Sequence, residues 1–470
     1  MEKDVADFAL KYLQSNGAEY AEVRLEHTHV HSVVMKNDVV EAVGFDEYQG
    51  VGMRFIANKR LGFVSTNEFD RQKMQAIMDK ALRVTQATGK LAEPTYLAED
   101  KAHTATYEVK QKIKLVDLDV DSRVRLLQDG DESIRHTGVN VPARYLSYTD
   151  NDTTEYLINS NGTKITARVP KVNMYYFLTI AANGRMAQRY WVYGASGGFE
   201  VAKKWNIPEI LKQEVLSMQT NLTKGKASPK GVLPIVCGPQ VTGIMVHESA
   251  GHPYEADRIF GREAAQAGES FVTPAMVGKR IGSEHVTVVD DPTLEGSYGY
   301  YLFDNEGVKG RRKHIIKDGM ITEFLHNRET AYHMGLPSNG SSRATDFDKE
   351  SIVRMSNTFL LPGKHKEEEL FDGIKKGVYL KNFMEWNIDD KRLNQKYTGA
   401  EAYLIENGEV TTPIVNPVLE VSSTKLWPAI DAVAKNLELH AGNCGKGEPM
   451  QAIPVYLGGP SIRLRGLRIR

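Results

Sequence analysis

Turn signals recur along the whole 470-residue chain, each between short segments of alternating or apolar character. Lys36-Asn37-Asp38, Asn58-Lys59-Arg60, Asn161-Gly162 and Asn183-Gly184 punctuate the first half. Asn305-Glu306-Gly307, Lys317-Asp318-Gly319 and Glu406-Asn407-Gly408 continue the series. Asn, Asp and Gly accept the left-handed backbone that two-residue hairpin turns require. A chain punctuated in this way is directed toward antiparallel strands joined by hairpins.

The segments between these turns give a coarse map. Apolar positions at Val5, Phe8, Ala9, Tyr12 and Leu13 predict a helix over 4–16 that stops at Gly17. Strands are expected over 20–43, 50–55 and 61–64, then a helix over 70–85. Residues 87–106 read as a linker. A helix over 113–135 and strands over 141–150, 154–159, 164–169, 172–181 and 186–193 follow. The glycine-rich stretch 194–198 reads as a flexible connecting loop, and 207–222 as a helix before a break at 223–230. A buried strand over 232–237 carries Cys237 as a small core residue, and a helix over 240–251 follows it. From 286 to 470 the pattern is β-rich, with a helix expected near 428–439. The fold class is α+β: antiparallel-sheet N-terminal α/β regions, then a β-rich C-terminal part. Domains are expected at 1–105, 106–225 and 226–470.

Composition narrows the class of function. Net charge is -1, so no global field argues for nucleic acid or an anionic membrane. Two cysteines cannot staple a chain this long, which fits a reducing compartment. No basic-then-apolar leader opens the sequence and no run approaches ~20 apolar residues. The expectation is a soluble cytoplasmic protein.

Chemistry gathers in Val246-His247-Glu248-Ser249-Ala250-Gly251-His252-Pro253. Two imidazoles and a carboxylate are what a metal-activated water needs, but the histidines are five apart, not the four of H-E-x-x-H. At roughly 100° per residue a straight α-helix would place the second ring about 140° round from the first. The helix must therefore bend, open into a π-bulge or end between them. Gly251 lowers the cost of leaving helical geometry, and Pro253 biases His252 away from the αR region. Glu248 occupies the general-base position of the related motif. A third ligand is needed, with candidates Cys444, His440, Glu255, Asp257, His285, His314, His326 and His333. Cys444 stands out because it lies in a glycine-rich stretch, 442–447, read as a flexible turn, where Lys446 would favour the thiolate. An incidental loop cysteine is the alternative. Elsewhere His27, His29 and His31 share one face of a strand, and with no carboxylate or cysteine expected nearby they read as a polar surface.

The motif His247-Glu248-Ser249-Ala250-Gly251-His252 resembles the H-E-x-x-x-H signature of the TldD/PmbA family, on its TldD side. Similar blocks follow the family order: Gln49-Gly50-Val51-Gly52-Met53-Arg54, Gly194-Ala195-Ser196-Gly197-Gly198, Thr287-Val288-Val289-Asp290-Asp291, Gly399-Ala400-Glu401-Ala402-Tyr403 and Asn443-Cys444-Gly445-Lys446. Two departures are Pro253, where a glycine is common, and a short segment before the cysteine. The resemblance implies a cytoplasmic Zn2+ peptidase with His247, His252 and Cys444 as ligands and Glu248 as base. It implies a dimer, with a PmbA/TldE-type subunit or a second copy, that takes unfolded peptide as an added strand. Tyr298, Tyr301, His326 and Asn327 are unranked candidates for an oxyanion donor. The competing readings are a peptide-binding protein with structural zinc, which would want four ligands, and a metal-dependent hydrolase of small molecules.

Overall fold

Asn37, Asp38, Asn58, Lys59, Asn183, Asp318 and Asn407 all take positive φ, as hairpin turns of their type require. The structure, a computed structural model, describes residues 2–89, 93–262 and 269–470. Met1 and residues 90–92 of the expected linker lie outside the described residues, as do 263–268 of the expected C-terminal domain.

Helix α1 (Lys3–Ser15) precedes strands β1 (Tyr20–Lys36), β2 (Val39–Ala57) and β3 (Arg60–Thr66), and helix α2 (Arg71–Ala87) closes the unit. Asp70 caps α2 by accepting from the Lys73 backbone at 3.0 Å. Both helices press apolar stripes on the inner halves of β1 and β2. Leu13, Met74, Met78 and Phe55 are fully buried there, each worth roughly 1.5–3 kcal/mol. β1 pairs with β2 on one side and β5 (Ala143–Asn159) on the other.

Strands β4 (Thr104–Glu108), β6 (Lys164–Arg168), β7 (Lys171–Ala182) and β8 (Arg185–Ser196) complete an eight-stranded sheet. Four details differ from expectation. β4 lies inside the expected linker because its backbone pairs in parallel with β6. β5 is one continuous strand, since the two segments expected there share the ladder with β1. The helix expected from 113 begins only at Val120, where Asp119 caps it, and ends at Arg135 (α3). Gly194, Ala195 and Ser196 belong to β8, paired against β7, rather than to a loop. Gly194 is closely packed there: a Cβ would stand 3.0 Å from Ala441 and 3.1 Å from the Tyr298 ring.

Among the described residues the remainder forms a ten-stranded sheet, a six-stranded sheet and a two-stranded ribbon of Ser342–Arg343 with Ile352–Val353. Gly231–Cys237 is a strand of the first, and Cys237 is fully buried, as expected of a core residue. The helix expected near 428–439 is absent. A short helix at Ser423–Leu426 gives way to a strand at Ile430–Val433, paired with Ile462–Ile469. Helix is 24% and strand 42%, mostly antiparallel, so the α+β class holds. Arg54 joins the first sheet to the C-terminal half, donating to Glu22 and Glu306 at 2.8 Å each. No helix among the described residues is long and apolar enough to cross a membrane.

Candidate metal centre

The helix Pro239–Val246 leads into a π-helical turn at His247–Gly251 and a 3-10 turn at His252–Tyr254. The backbone N–H of His252 donates to the carbonyl of His247, closing an i-to-i+5 ring. That wider turn is what five-residue spacing demands, and the two rings come to 4.9 Å between centroids at 82°. The cause differs in part from expectation. His252 stays in the αR region, and the departure falls one residue earlier, at Gly251 (φ -94°, ψ -80°). Pro253 sits inside the first turn of the following 3-10 segment, where its missing N–H costs nothing. Gly251 is needed for room, since a Cβ there would lie 2.0 Å from Met355 Sδ.

Cys444 arrives from 192 residues away, its Sγ 3.2 Å from His252 Nε2. It lies in the strand Glu438–Lys446, not in a flexible turn, because the glycines around it are fixed by pairing with Gln451–Gly459. The ligand atoms of His247, His252 and Cys444 all fall within 4.8 Å of one another, and all three residues are buried. Two imidazoles and a thiol in this arrangement can hold a borderline-soft divalent metal.

Burial alone would push the Cys444 thiol up, but His252 and Arg354 beside it bring it below the ordinary thiol value. The sequence pointed to Lys446 for that task. Its amine instead sits on Asp257 at 2.7 and 2.8 Å and on Glu255 at 3.3 Å. Burial depresses both histidines, which favours the neutral, metal-ligating form. Glu255 Oε2 stands 2.9 Å from His252 Nδ1. Burial would raise Glu255, yet Lys446, His252 and Arg258 hold it well below the usual carboxylate range. It therefore accepts from Nδ1–H and leaves Nε2 facing the cysteine, the usual partnership of a ligating histidine. Burial raises the Glu248 carboxyl, and Arg392 Nη1 pairs with its Oε2 at 3.0 Å.

Glu255 and Asp257 are thus spoken for as supports. His440 packs edge-on against Trp191 with ring centroids 5.2 Å apart, and His326 Nδ1 meets Thr330 Oγ1 at 3.1 Å. His285 and His333 are exposed, and His314 lies in the strand Lys313–Lys317. None of the four residues considered as oxyanion donors lines the cavity in front of the centre; Arg392 and Asn443 do. Arg392 gave no signal in the sequence, because its approach depends on a left-handed turn (φ +60°) between two strands. The cavity is about 670 Å³. Its walls include Trp191 of β8, Phe383 and Trp386 of the strand Phe383–Ile388, and Gly442 of the strand Glu438–Lys446. Each of these three strands is the outermost of its own sheet.

A family model described as the PmbA/TldA metallopeptidase C-terminal domain matches residues 230–470, and one described as PmbA/TldA metallopeptidase domain 1 matches 21–85. A metalloprotease of Methanocaldococcus jannaschii is 31% identical, spanning 95% of this chain and 96% of its own. A metalloprotease TldD homolog of Haemophilus influenzae is 26% identical over 95% and 92% of the respective chains. The solved structure of TldE from Thermococcus kodakarensis shares the fold, with a TM-score of 0.76 at 17% identity and 99% of each chain covered. With these matches running along nearly its whole length, the chain belongs to the TldD/PmbA family of metallopeptidases.

Proposed function

We propose that the chain is a zinc peptidase in which His247, His252 and Cys444 hold the metal and Glu248 is the general base. The observation that carries this is the convergence of two neutral imidazoles and a thiol of lowered pKa within 4.8 Å, beside a buried glutamate. The donor set suits zinc: nitrogen, nitrogen and sulfur, with His247 Nδ1 buried and without a hydrogen-bond partner among the described residues. Three ligands leave a position open, as catalytic sites do.

Bound zinc would supply a Lewis acid and lower the pKa of a water toward about 7. Glu248 takes the proton from the attacking water and returns it to the leaving amine. Burial makes its carboxylate a stronger base, while Arg392 fixes the orientation of one oxygen. Glu255 keeps His252 in one tautomer. The three outermost strands around the cavity suit an extended, unfolded peptide bound by backbone pairing. The three-part division at about 105 and 225 would assign all four site residues to the last part. The reading includes a cytoplasmic setting and a dimer with a PmbA/TldE-type subunit or a second copy.

Replacing Glu248→Ala should leave zinc content unchanged while cleavage of a disordered peptide falls by on the order of 10²–10⁴-fold. An Ala variant as active as the parent would remove Glu248 from the role of base.

A further inference from the structure

We propose that His27, His29 and Glu47, on the outer half of the β1–β2 ribbon, form a second and independent site for a divalent transition metal. The two histidines are two residues apart on β1 and share a face. Sequence reasoning found no carboxylate beside them, but register supplies one: Glu47 of β2 lies directly opposite His29. Its Oε1 is 2.8 Å from His27 Nε2 and its Oε2 is 3.8 Å from His29 Nδ1. The three ligand atoms fall within 4.8 Å of one another, as in the buried centre.

The backbone beneath is well placed to hold the arrangement. β1 is paired along its full length with β2 on one side and β5 on the other, so the Cα positions of the ligands are fixed by two ladders. Asp152 of β5 faces His29 across the strand and is itself pinned by Arg168 at 2.8 and 2.6 Å and by Gln111 at 3.0 Å. A carboxylate beside a ligating imidazole is the common supporting partner. His31 is engaged elsewhere, 3.0 Å from Asp150 and against the Phe45 ring at 5.0 Å. The site therefore offers two imidazoles and one carboxylate, with the remaining positions open to water. Side-chain exposures of 27%, 30% and 48% mean an ion enters directly from solvent. Nitrogen and carboxylate ligands without sulfur suit Zn2+, Ni2+ or Cu2+ rather than Mg2+ or Ca2+. Bound there, the ion would clip β1 to the stretch of β2 before Val51, where β2 has no second partner strand among the described residues.

The site does not depend on the peptidase reading, and its test keeps the two apart. The purified full-length chain is dialysed against buffered Zn2+, and bound metal is counted by mass spectrometry. The parent should bind two equivalents, His29→Ala one, and Cys444→Ser one, with the doubly substituted chain binding none. Glu47→Gln should weaken the outer equivalent by ~10-fold or more. Co2+ gives a second readout: the equivalent left in Cys444→Ser should show no thiolate-to-metal absorption band. If His29→Ala leaves the count unchanged, or if Cys444→Ser binds no metal, the triad is a hydrogen-bonded surface cluster and the proposal fails.

Discussion

The π-turn centre and the ribbon triad each begin from two histidines close in sequence, yet the fold uses them in opposite ways. On the ribbon the third group, Glu47, is 18 residues past His29, and pairing of two neighbouring strands is enough to deliver it. At the π-turn the third group is 192 residues away and arrives only when the six-stranded sheet is complete. The ribbon ligands are part-exposed and stand at the surface. The buried ligands are tuned by named neighbours: Glu255 on His252, Arg354 and His252 on Cys444, Arg392 on Glu248. A site that needs only register can hold an ion. Chemistry on a peptide bond needs ligands, base and supports at fixed distances in a space that limits water.

The sharpest way to break this contrast is Cys444→Ser. Loss of the sulfur should lower zinc affinity at the buried centre by ~100-fold or more while the outer equivalent is unaffected. Coupled losses at both places would mean that they are not separate. Glu255→Gln should have a smaller effect, roughly 10–100-fold on inner affinity, because it removes an orienting carboxylate and keeps every ligand. An unchanged affinity would show that His252 is oriented by packing alone. The last prediction concerns the surroundings and leaves the ligands themselves untouched. Burial holds His326 at about 4 and His440 at about 3, below the ordinary imidazole value near 6.5. Unfolding then takes up protons between the folded and unfolded pKa values. The stability these groups confer is complete above pH ~6.5 and is lost as pH falls from there toward about 4 for His326 and about 3 for His440. The stability of the metal-free chain, read from urea midpoints, should drop between pH 7 and 5 by up to roughly 2 kcal/mol for each imidazole. A flat profile would sink the assignment of these imidazoles as buried and neutral.

What could be read from the sequence divides along the same line. Hairpin turns, α1, α2 and the break in the motif helix are local, and residue chemistry within a few positions announces them. The reading erred where distant backbone decides. Gly194, Ala195 and Ser196 look like a loop until β7 pairs with them, and 104–108 looks like linker until β6 does. Residues 428–439 read as a helix until the Ile430–Val433 segment is claimed by an adjacent strand. Glu47 was overlooked because cross-strand register is invisible to spacing along one strand. Lys446 was credited with the thiolate because it is two residues away, although its amine is held by Asp257.

The π-turn has a consequence for phase. One extra residue between His247 and His252 does more than bring two rings together, because everything downstream is set by the same count. Glu255, which steadies His252, and Asp257, which anchors Lys446, are rotated with it. Shortening the run to the four-residue spacing would restore a regular helix and keep the rings neighbourly, but would turn the following segment by roughly 100°. Asp257 and Glu255 would then face away from Lys446, although Glu255 would keep its place three residues after His252. The histidine spacing and the clamp behind it are cut to one pitch, and neither can be exchanged for the commoner version alone.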